Sequence, residues 1–179
     1  MTARLFARVT LGLALLPSSL LGQGSRYEPS YERPTGAELV AVFVGSSRCV
    51  ANAVPGFLAS IDPMNRLLAQ RARLQGRRFV AVGVTTDWEP DSGFAYLKGL
   101  SEFDEVAVGR NWYSNSVAHY IWSDSATAPV EPQVILIERT FDAAGPRPTM
   151  GPERVIGRWQ GADDIMAWVH AGVPYKLVD

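Results

Sequence analysis

Short runs of consecutive apolar residues predict the strands of a buried sheet. Three runs, at 39–44, 79–84 and 134–137, are nearly uninterrupted, which is typical of strands covered on both faces. A fourth, at 155–159, follows a turn rich in glycine and proline at 143–152. Because a turn of this kind joins neighbouring antiparallel strands, the last two runs predict a hairpin.

Apolar residues at helical spacing predict helices between these strands. The predicted helices are one that includes residues 64–72 and ends near Gly76, one capped by Asp91 or Ser92, one over 112–122, and one from about Asp163. Pro55 and Pro63 are expected to interrupt the first of them. With a short extra strand at 103–108, the order predicts an α/β domain: a mixed sheet with parallel core strands, helices on both faces and a C-terminal antiparallel hairpin.

The first two dozen residues have the pattern of an export signal. Arg4 and Arg8 precede an apolar stretch at 9–16, and Gly22 and Gly24 form a small-x-small cleavage site. The apolar stretch is too short to span a bilayer, and no later run is long enough. We therefore expect residues 1–24 to be removed and the protein to be periplasmic or secreted, without spanning the membrane.

The rest of the chain predicts one domain with a short arm in front of it. Residues 25–36 are polar, with Pro29 and Pro34, and are expected to be an extended N-terminal arm. Residues 37–179 contain all the predicted strands and helices, with no internal repeat and no low-complexity tract. This length can bury a sizeable core without a metal or a disulfide.

Composition excludes several classes of protein. The formal net charge is −1, so a nucleic-acid binder with a broad basic face is not expected. One cysteine and two histidines exclude an internal disulfide and the usual four-ligand structural zinc site. No nucleotide-binding glycine motif is present, and Asp163 and Asp164 are typical of a helix start rather than a metal pair. The sequence therefore predicts neither a cofactor nor a metal.

Cys49 is the first candidate for chemistry. It follows the carboxyl end of the first predicted strand and begins a helical region. Ligands bind at such edges in open α/β sheets, and the free N–H groups of a helix start favour a thiolate. Arg48 beside it adds positive charge. The alternative from position alone is a small buried apolar residue, which is a common role of a free cysteine.

The segment VFVGSSRCVAN, at 42–52, resembles the strand, loop and helix start of thioredoxin-like proteins. Cys49 matches the first cysteine of their Cys-x-x-Cys motif, whereas Asn52 stands at the second. Pro132, just before the third main strand, matches the family's cis-proline, and Glu131 before it departs from the usual threonine or valine. Over about residues 36–172, the resemblance implies a thioredoxin-like three-layer sandwich.

The missing second cysteine limits the chemistry that the resemblance implies. A dithiol protein releases its product with the second thiol, so a mixed disulfide at Cys49 needs an external thiol. The first hypothesis is an exported partner-binding module with at most single-cysteine thiol chemistry. The alternatives are a monothiol disulfide oxidoreductase and a thiol peroxidase; for the latter, Ser46 only partly matches the threonine expected three residues before the cysteine. The partner would be a protein thiol or disulfide, or another protein ligand.

Several neighbours of Cys49 are candidate partner-binding residues: Ser46, Arg48, Asn52, Trp88, Glu131 and Pro132. Trp88 follows the second strand, so it either lines a cleft beside the thiol or packs beneath its own loop. His119, within an aromatic helix, either contributes to a binding patch or stabilises the thiolate, or simply faces solvent. His170, near the last helix end, is explained by its favourable position in the helix dipole.

Overall fold

The computed structural model describes residues 26–123 and 128–177, and a mixed sheet runs through its centre. The strands are β1 (Gly36–Gly45), β2 (Arg78–Thr85), β3 (Glu105–Ala107), β4 (Gln133–Asp142), β5 (Thr149–Met150) and β6 (Arg154–Gln160). Across the sheet the order is β3-β2-β1-β4-β6, and β5 pairs with the far end of β4. β1, β2 and β3 are parallel, whereas β4 is antiparallel to both β1 and β6.

Helices cover both faces of this sheet. They are α1 (Phe57–Leu74), α2 (Pro90–Leu100), α3 (Asn115–Val117), which continues into a π-helical turn (Ala118–Trp122), and α4 (Ala162–His170). Short 3₁₀ turns occupy Val50–Ala53 and Asn111–Tyr113. Leu39 and Phe43 of β1 pack in the cluster that contains α1 and α4, whereas Val42 packs in the cluster that contains Val117 and Ile121.

The arrangement of strands and helices is the three-layer sandwich that the thioredoxin-like resemblance implies. Successive residues of β1 enter opposite layers because side chains alternate along a strand, which is why the run at 39–44, buried on both faces, is apolar throughout. Glu38, which precedes this run, is also buried and is paired with Arg78 and Arg139. The predicted three-layer arrangement, with parallel core strands and a C-terminal antiparallel hairpin, is confirmed. No helix within 26–123 or 128–177 combines the length and the apolar character needed to cross a bilayer.

The prediction that Pro63 interrupts the first helix is wrong. α1 is 18 residues long, and Pro63 lies inside it. The helix begins after Gly56, which has a φ of 83°, a backbone angle that glycine adopts readily. One face of the helix, with Ile61, Met64 and Leu68, is fully buried. This packing holds the helix together although Pro63 cannot donate a backbone hydrogen bond.

Two other predicted helices differ in detail. α2 is not capped by Asp91 or Ser92, because Glu89 is its N-cap and Pro90 takes the first turn, a position that suits proline. The predicted helix at 112–122 is divided at Ser114, which has an extended backbone. The Ser114 hydroxyl accepts a hydrogen bond from the Val117 N–H at 3.1 Å, so a new helix begins there.

Residues 26–35 of the N-terminal arm form no helix or strand, and they contact the domain. Tyr27 is buried, and its hydroxyl donates to the Asp104 carboxylate at 2.6 Å. The Ser30 N–H donates to the same carboxylate at 2.9 Å, and the Arg78 guanidinium donates to the Ser30 carbonyl at 2.8 Å. The predicted signal peptide at 1–24 lies outside the described residues and stays a prediction.

Candidate functional site

Cys49 lies in the loop between β1 and α1, and not at the start of the long helix. It precedes the 3₁₀ turn Val50–Ala53 with an extended backbone, and its N–H donates to the Ser46 carbonyl at 3.2 Å. α1 begins only at Phe57, because Pro55 and Gly56 delay it. The helical region predicted after Cys49 thus begins with one 3₁₀ turn, and the predicted interruption at Pro55 leaves Cys49 in a loop at the predicted edge of the sheet. The Cys49 side chain is half-buried.

The thiol faces the segment that carries Pro132. The Cys49 S–H donates to the Glu131 carbonyl with a sulfur–oxygen distance of 3.7 Å. The Glu131–Pro132 peptide bond is cis, and the Pro132 carbonyl accepts the Gly161 N–H at 2.8 Å. Residues 82 positions apart thus meet at one edge of the sheet.

Both the nitrogen and the oxygen of the Asn52 side-chain amide form hydrogen bonds. Its Nδ2 group donates to the Ser46 carbonyl at 2.8 Å and to the Ser47 carbonyl at 3.2 Å. Its Oδ1 atom accepts the Tyr96 hydroxyl at 3.1 Å. The residue at the second-cysteine position therefore fixes the loop in front of Cys49 and ties that loop to α2.

Asp87 is a site residue that the sequence did not single out. Its carboxylate is 5% exposed and accepts the Ser47 N–H at 3.0 Å, the Ser47 hydroxyl at 2.6 Å and the Ser46 hydroxyl at 3.4 Å. The Ser46 hydroxyl in turn accepts the Arg48 N–H at 3.2 Å. Asp87 thus holds the cysteine loop from the end of β2. The available signal was a polar residue directly after a buried strand, at the edge where Cys49 lies.

Burial and nearby negative charge raise the pKa values of Glu131 and Tyr96 at this edge of the sheet. Burial raises the pKa of the Glu131 carboxyl, the Thr86 hydroxyl that donates to it opposes the change, and the nearby Asp87 charge adds to it. Burial also raises the pKa of Tyr96, and the proximity of Cys49 and Glu131 raises it further. Tyr96 therefore remains a neutral hydrogen-bond donor to Asn52.

A cleft of about 380 Å³ opens beside the cysteine loop. Its lining residues are Ser46, Arg48, Thr86, Asp87, Trp88, Glu89, Ser92, Asn111, Trp112 and Glu131. The Trp88 side chain is 68% exposed and lines the cleft, rather than packing beneath its own loop. Arg48 is also exposed, whereas Ser46 is buried beneath the loop.

The two histidines lie outside this cleft. Nε2 of His119 is 2.7 Å from Oε2 of Glu153, and the His119 side chain is exposed, so the interpretation in which it stabilises the thiolate has no support. His170 ends α4 and is exposed, as expected. Asp163 and Asp164 lie in the first turn of that helix. Within the described residues no group of His, Cys, Asp and Glu side chains could hold a metal ion.

No protein-family model and no curated protein matches the sequence. Among solved structures, the chain is similar to a putative thiol:disulfide interchange protein DsbE from Chlorobium tepidum, with 14% identity over 76% of this chain and 81% of that one and a TM-score of 0.42. A thioredoxin-family thiol:disulfide interchange protein from Chlorobium tepidum TLS gives 12% identity over 81% and 100% of the two chains and a TM-score of 0.35. BsSco, of the Sco family of cytochrome c oxidase assembly proteins, gives 17% identity over 76% and 80% and a TM-score of 0.35. These are distant likenesses and assign no activity to this chain.

Proposed function

We propose that this is an exported, thioredoxin-like partner-binding protein, periplasmic or secreted, whose Cys49 forms a mixed disulfide that the protein cannot resolve by itself. The observation that carries the proposal is Asn52. A side-chain amide with three hydrogen bonds stands where a dithiol protein has its second thiol. Cys49, the one cysteine of the sequence, remains half-buried beside the Glu131–Pro132 bond.

The exchange step needs no oxidant beyond the partner's own disulfide. The Cys49 thiolate attacks one sulfur of that disulfide, so a new bond forms between Cys49 and the partner while the partner's sulfur–sulfur bond breaks. The other sulfur leaves as a thiolate and takes up the proton that Cys49 lost. Release then requires an external thiol, because Asn52 cannot attack. The mixed disulfide is thus a captured complex.

The candidate residues divide into two groups around the thiol. Arg48 and Trp88 are exposed beside the cleft, so we assign these two to contacts with the partner. Pro132 is buried and follows the Glu131 carbonyl that accepts the Cys49 S–H, so we assign it to positioning that carbonyl. Ser46 and Asn52 bond to the loop and to its supports, so we assign them to positioning Cys49.

The test is a titration of the folded protein with an aromatic disulfide reagent that releases a coloured thiol. We expect the wild-type protein to release one equivalent and to keep the other half of the reagent on Cys49. Asn52→Cys should release two equivalents, because its new thiol attacks the mixed disulfide. Asn52→Ser, which removes the amide but adds no thiol, should again release one, and Cys49→Ser none. A second equivalent from the wild type, or no reaction until the protein unfolds, would contradict the proposal.

The thiol peroxidase alternative has no specific support in the geometry. The Ser46 hydroxyl bonds to Asp87 and to the Arg48 N–H, rather than facing the Cys49 sulfur. The monothiol oxidoreductase alternative uses the same first step as the proposal. It differs only in whether an external thiol completes the cycle quickly.

A further inference from the structure

We propose that a second site, an arginine-lined groove at the opposite end of the sheet from Cys49, binds a phosphate-bearing anion. The groove is the space of about 700 Å³ between the N-terminal arm, one face of α1 and the start of β2. Cys49 follows the end of β1, whereas Arg78 begins the parallel neighbour β2, so the two sites lie at opposite edges. This site is independent of the proposed thiol chemistry.

Five arginines line the groove, and α1 contributes through one face. The arginines are Arg26, Arg66, Arg73, Arg77 and Arg78. Arg66, Gln70 and Arg73 are four and seven residues apart, a spacing that puts them on the same side of a helix. Glu28 is the one acidic residue in the lining.

The carboxylates behind the groove are shared between guanidinium groups. Asp62 lies 3.9 Å from Arg26 and 3.4 Å from Arg66, and Arg26 also lies 3.7 Å from Glu102. Glu38 lies 3.8 Å from Arg78 and 3.0 Å from Arg139. A carboxylate that serves two cations neutralises neither fully.

The same sharing occurs at Arg77. Its partner, Glu138, is also paired with Arg154. Arg73 has no carboxylate partner at all: it is exposed and makes no ion pair with any residue in the described part of the chain. At Arg73 and Arg77 the groove therefore retains positive charge and guanidinium donors, although the formal net charge of the chain is −1.

The arginine side chains of the groove favour a ligand that carries phosphate. A planar guanidinium donates to two oxygens of a phosphate at once, and several of them together suit a compact ligand with more than one negative charge. The buried rings of Tyr27 and Phe79 pack at 5.4 Å with an edge-to-face angle of 82° and form a rigid apolar floor. A phosphate group, whether of a soluble organic phosphate or of a lipid headgroup, fits this arrangement.

The test measures binding of tripolyphosphate by calorimetry at low ionic strength, where screening is weakest. We expect saturable binding that weakens with added salt. Arg73→Gln should weaken it about tenfold or more, as expected for the loss of a charge-assisted hydrogen bond. Because Arg73 has no ion pair to lose, this variant should fold normally. Arg71→Gln is the matched control: it removes the same charge from the same helix outside the groove, and it should bind like the wild type.

Further measurements distinguish a lipid headgroup from a soluble phosphate, and a phosphate from other anions. Co-sedimentation with vesicles containing phosphatidic acid, competed by tripolyphosphate, would support the site and assign it to a lipid headgroup. Binding of tripolyphosphate without vesicle binding would support it and assign a soluble phosphate. Citrate binding as tightly as tripolyphosphate would overturn the phosphate class. Absence of saturable binding, or equal loss in Arg71→Gln and Arg73→Gln, would overturn the site itself.

Discussion

Removing the Asp87 carboxylate is the sharpest structural test of how the cysteine loop is held. Asp87→Ala deletes an acceptor for one backbone N–H and two hydroxyls, all in the two residues before Arg48. Asp87→Asn keeps the shape and one carbonyl oxygen, so it is the matched variant. Both substitutions leave Cys49 and Asn52 unchanged.

The expected loss for Asp87→Ala follows from the three contacts. Hydrogen bonds to a charged group contribute about 1.5–3 kcal/mol each when they are removed singly. Two of the three donors belong to Ser47, which is exposed and can bond to water instead, whereas the Ser46 hydroxyl is buried. We therefore expect a total loss of about 2–3 kcal/mol from the free energy of unfolding, and about half of that for Asp87→Asn.

Urea unfolding, followed by tryptophan fluorescence, measures this loss, and the thermal midpoint should fall by roughly 4–12 °C for Asp87→Ala. Iodoacetamide should modify Cys49 faster in the folded variant, because its loop is no longer held. Ser47→Ala combined with Asp87→Ala should show a coupling of about 1 kcal/mol or more. A loss below about 0.5 kcal/mol, with unchanged alkylation and no coupling, would refute the role given to Asp87.

The remaining predictions concern packing and pH. A Cβ at Gly93 would clash with the buried Thr85 Oγ1 atom, so Gly93→Ala should lower the free energy of unfolding by about 1–3 kcal/mol. In the same helix nothing lies within 4 Å of such an atom at Gly99, so Gly99→Ala should gain up to about 1 kcal/mol in urea unfolding; equal effects would contradict this. Burial raises the folded-state pKa of Glu131, so its ionisation disfavours folding. Glu131→Gln should thus be the more stable protein at pH 7, with an advantage that shrinks as pH falls through the raised pKa and is gone below the ordinary glutamate value. At Glu138, burial works to raise the pKa, but two arginines outweigh it and the pKa is lowered. Glu138→Gln should therefore lose stability at pH 7, with a difference that disappears in acid; parallel pH profiles for the two variants would refute the assignment.

The centre of the sheet was predictable because β1, β2 and the first half of β4 are buried on both faces. A run such as residues 39–44 has few alternatives to a central strand, and the turn at 143–152 identified the hairpin. Helix boundaries were less predictable, since they depend on tertiary contacts. Packing carries α1 through Pro63, and one serine hydroxyl divides the segment at 112–122. Local propensity gives little information about either outcome.

The site was predictable only as far as strand ends and a resemblance allow. Cys49 was singled out because it follows the end of a predicted strand, and Pro132 because the resemblance places a proline just before the third main strand. Asp87 and Tyr96 were missed because their roles depend on how loops from β2 and α2 meet the β1 loop in space. A polar residue after a strand is common, and its partner cannot be derived from spacing.

The loop that carries Cys49 depends on the Asn52 amide for three hydrogen bonds that a second cysteine could not make in the same way. A cysteine at this position would lose two donors to the carbonyls of Ser46 and Ser47, each contributing about 1 kcal/mol. It would also leave the half-buried Tyr96 hydroxyl with a weak sulfur acceptor in place of the 3.1 Å bond to Oδ1. Because the carbonyls, the amide and the phenol satisfy one another, the loop is most stable in the form that cannot resolve a mixed disulfide. The proposed capture without release is therefore supported by the hydrogen bonding of the folded loop as well as by the single cysteine of the sequence.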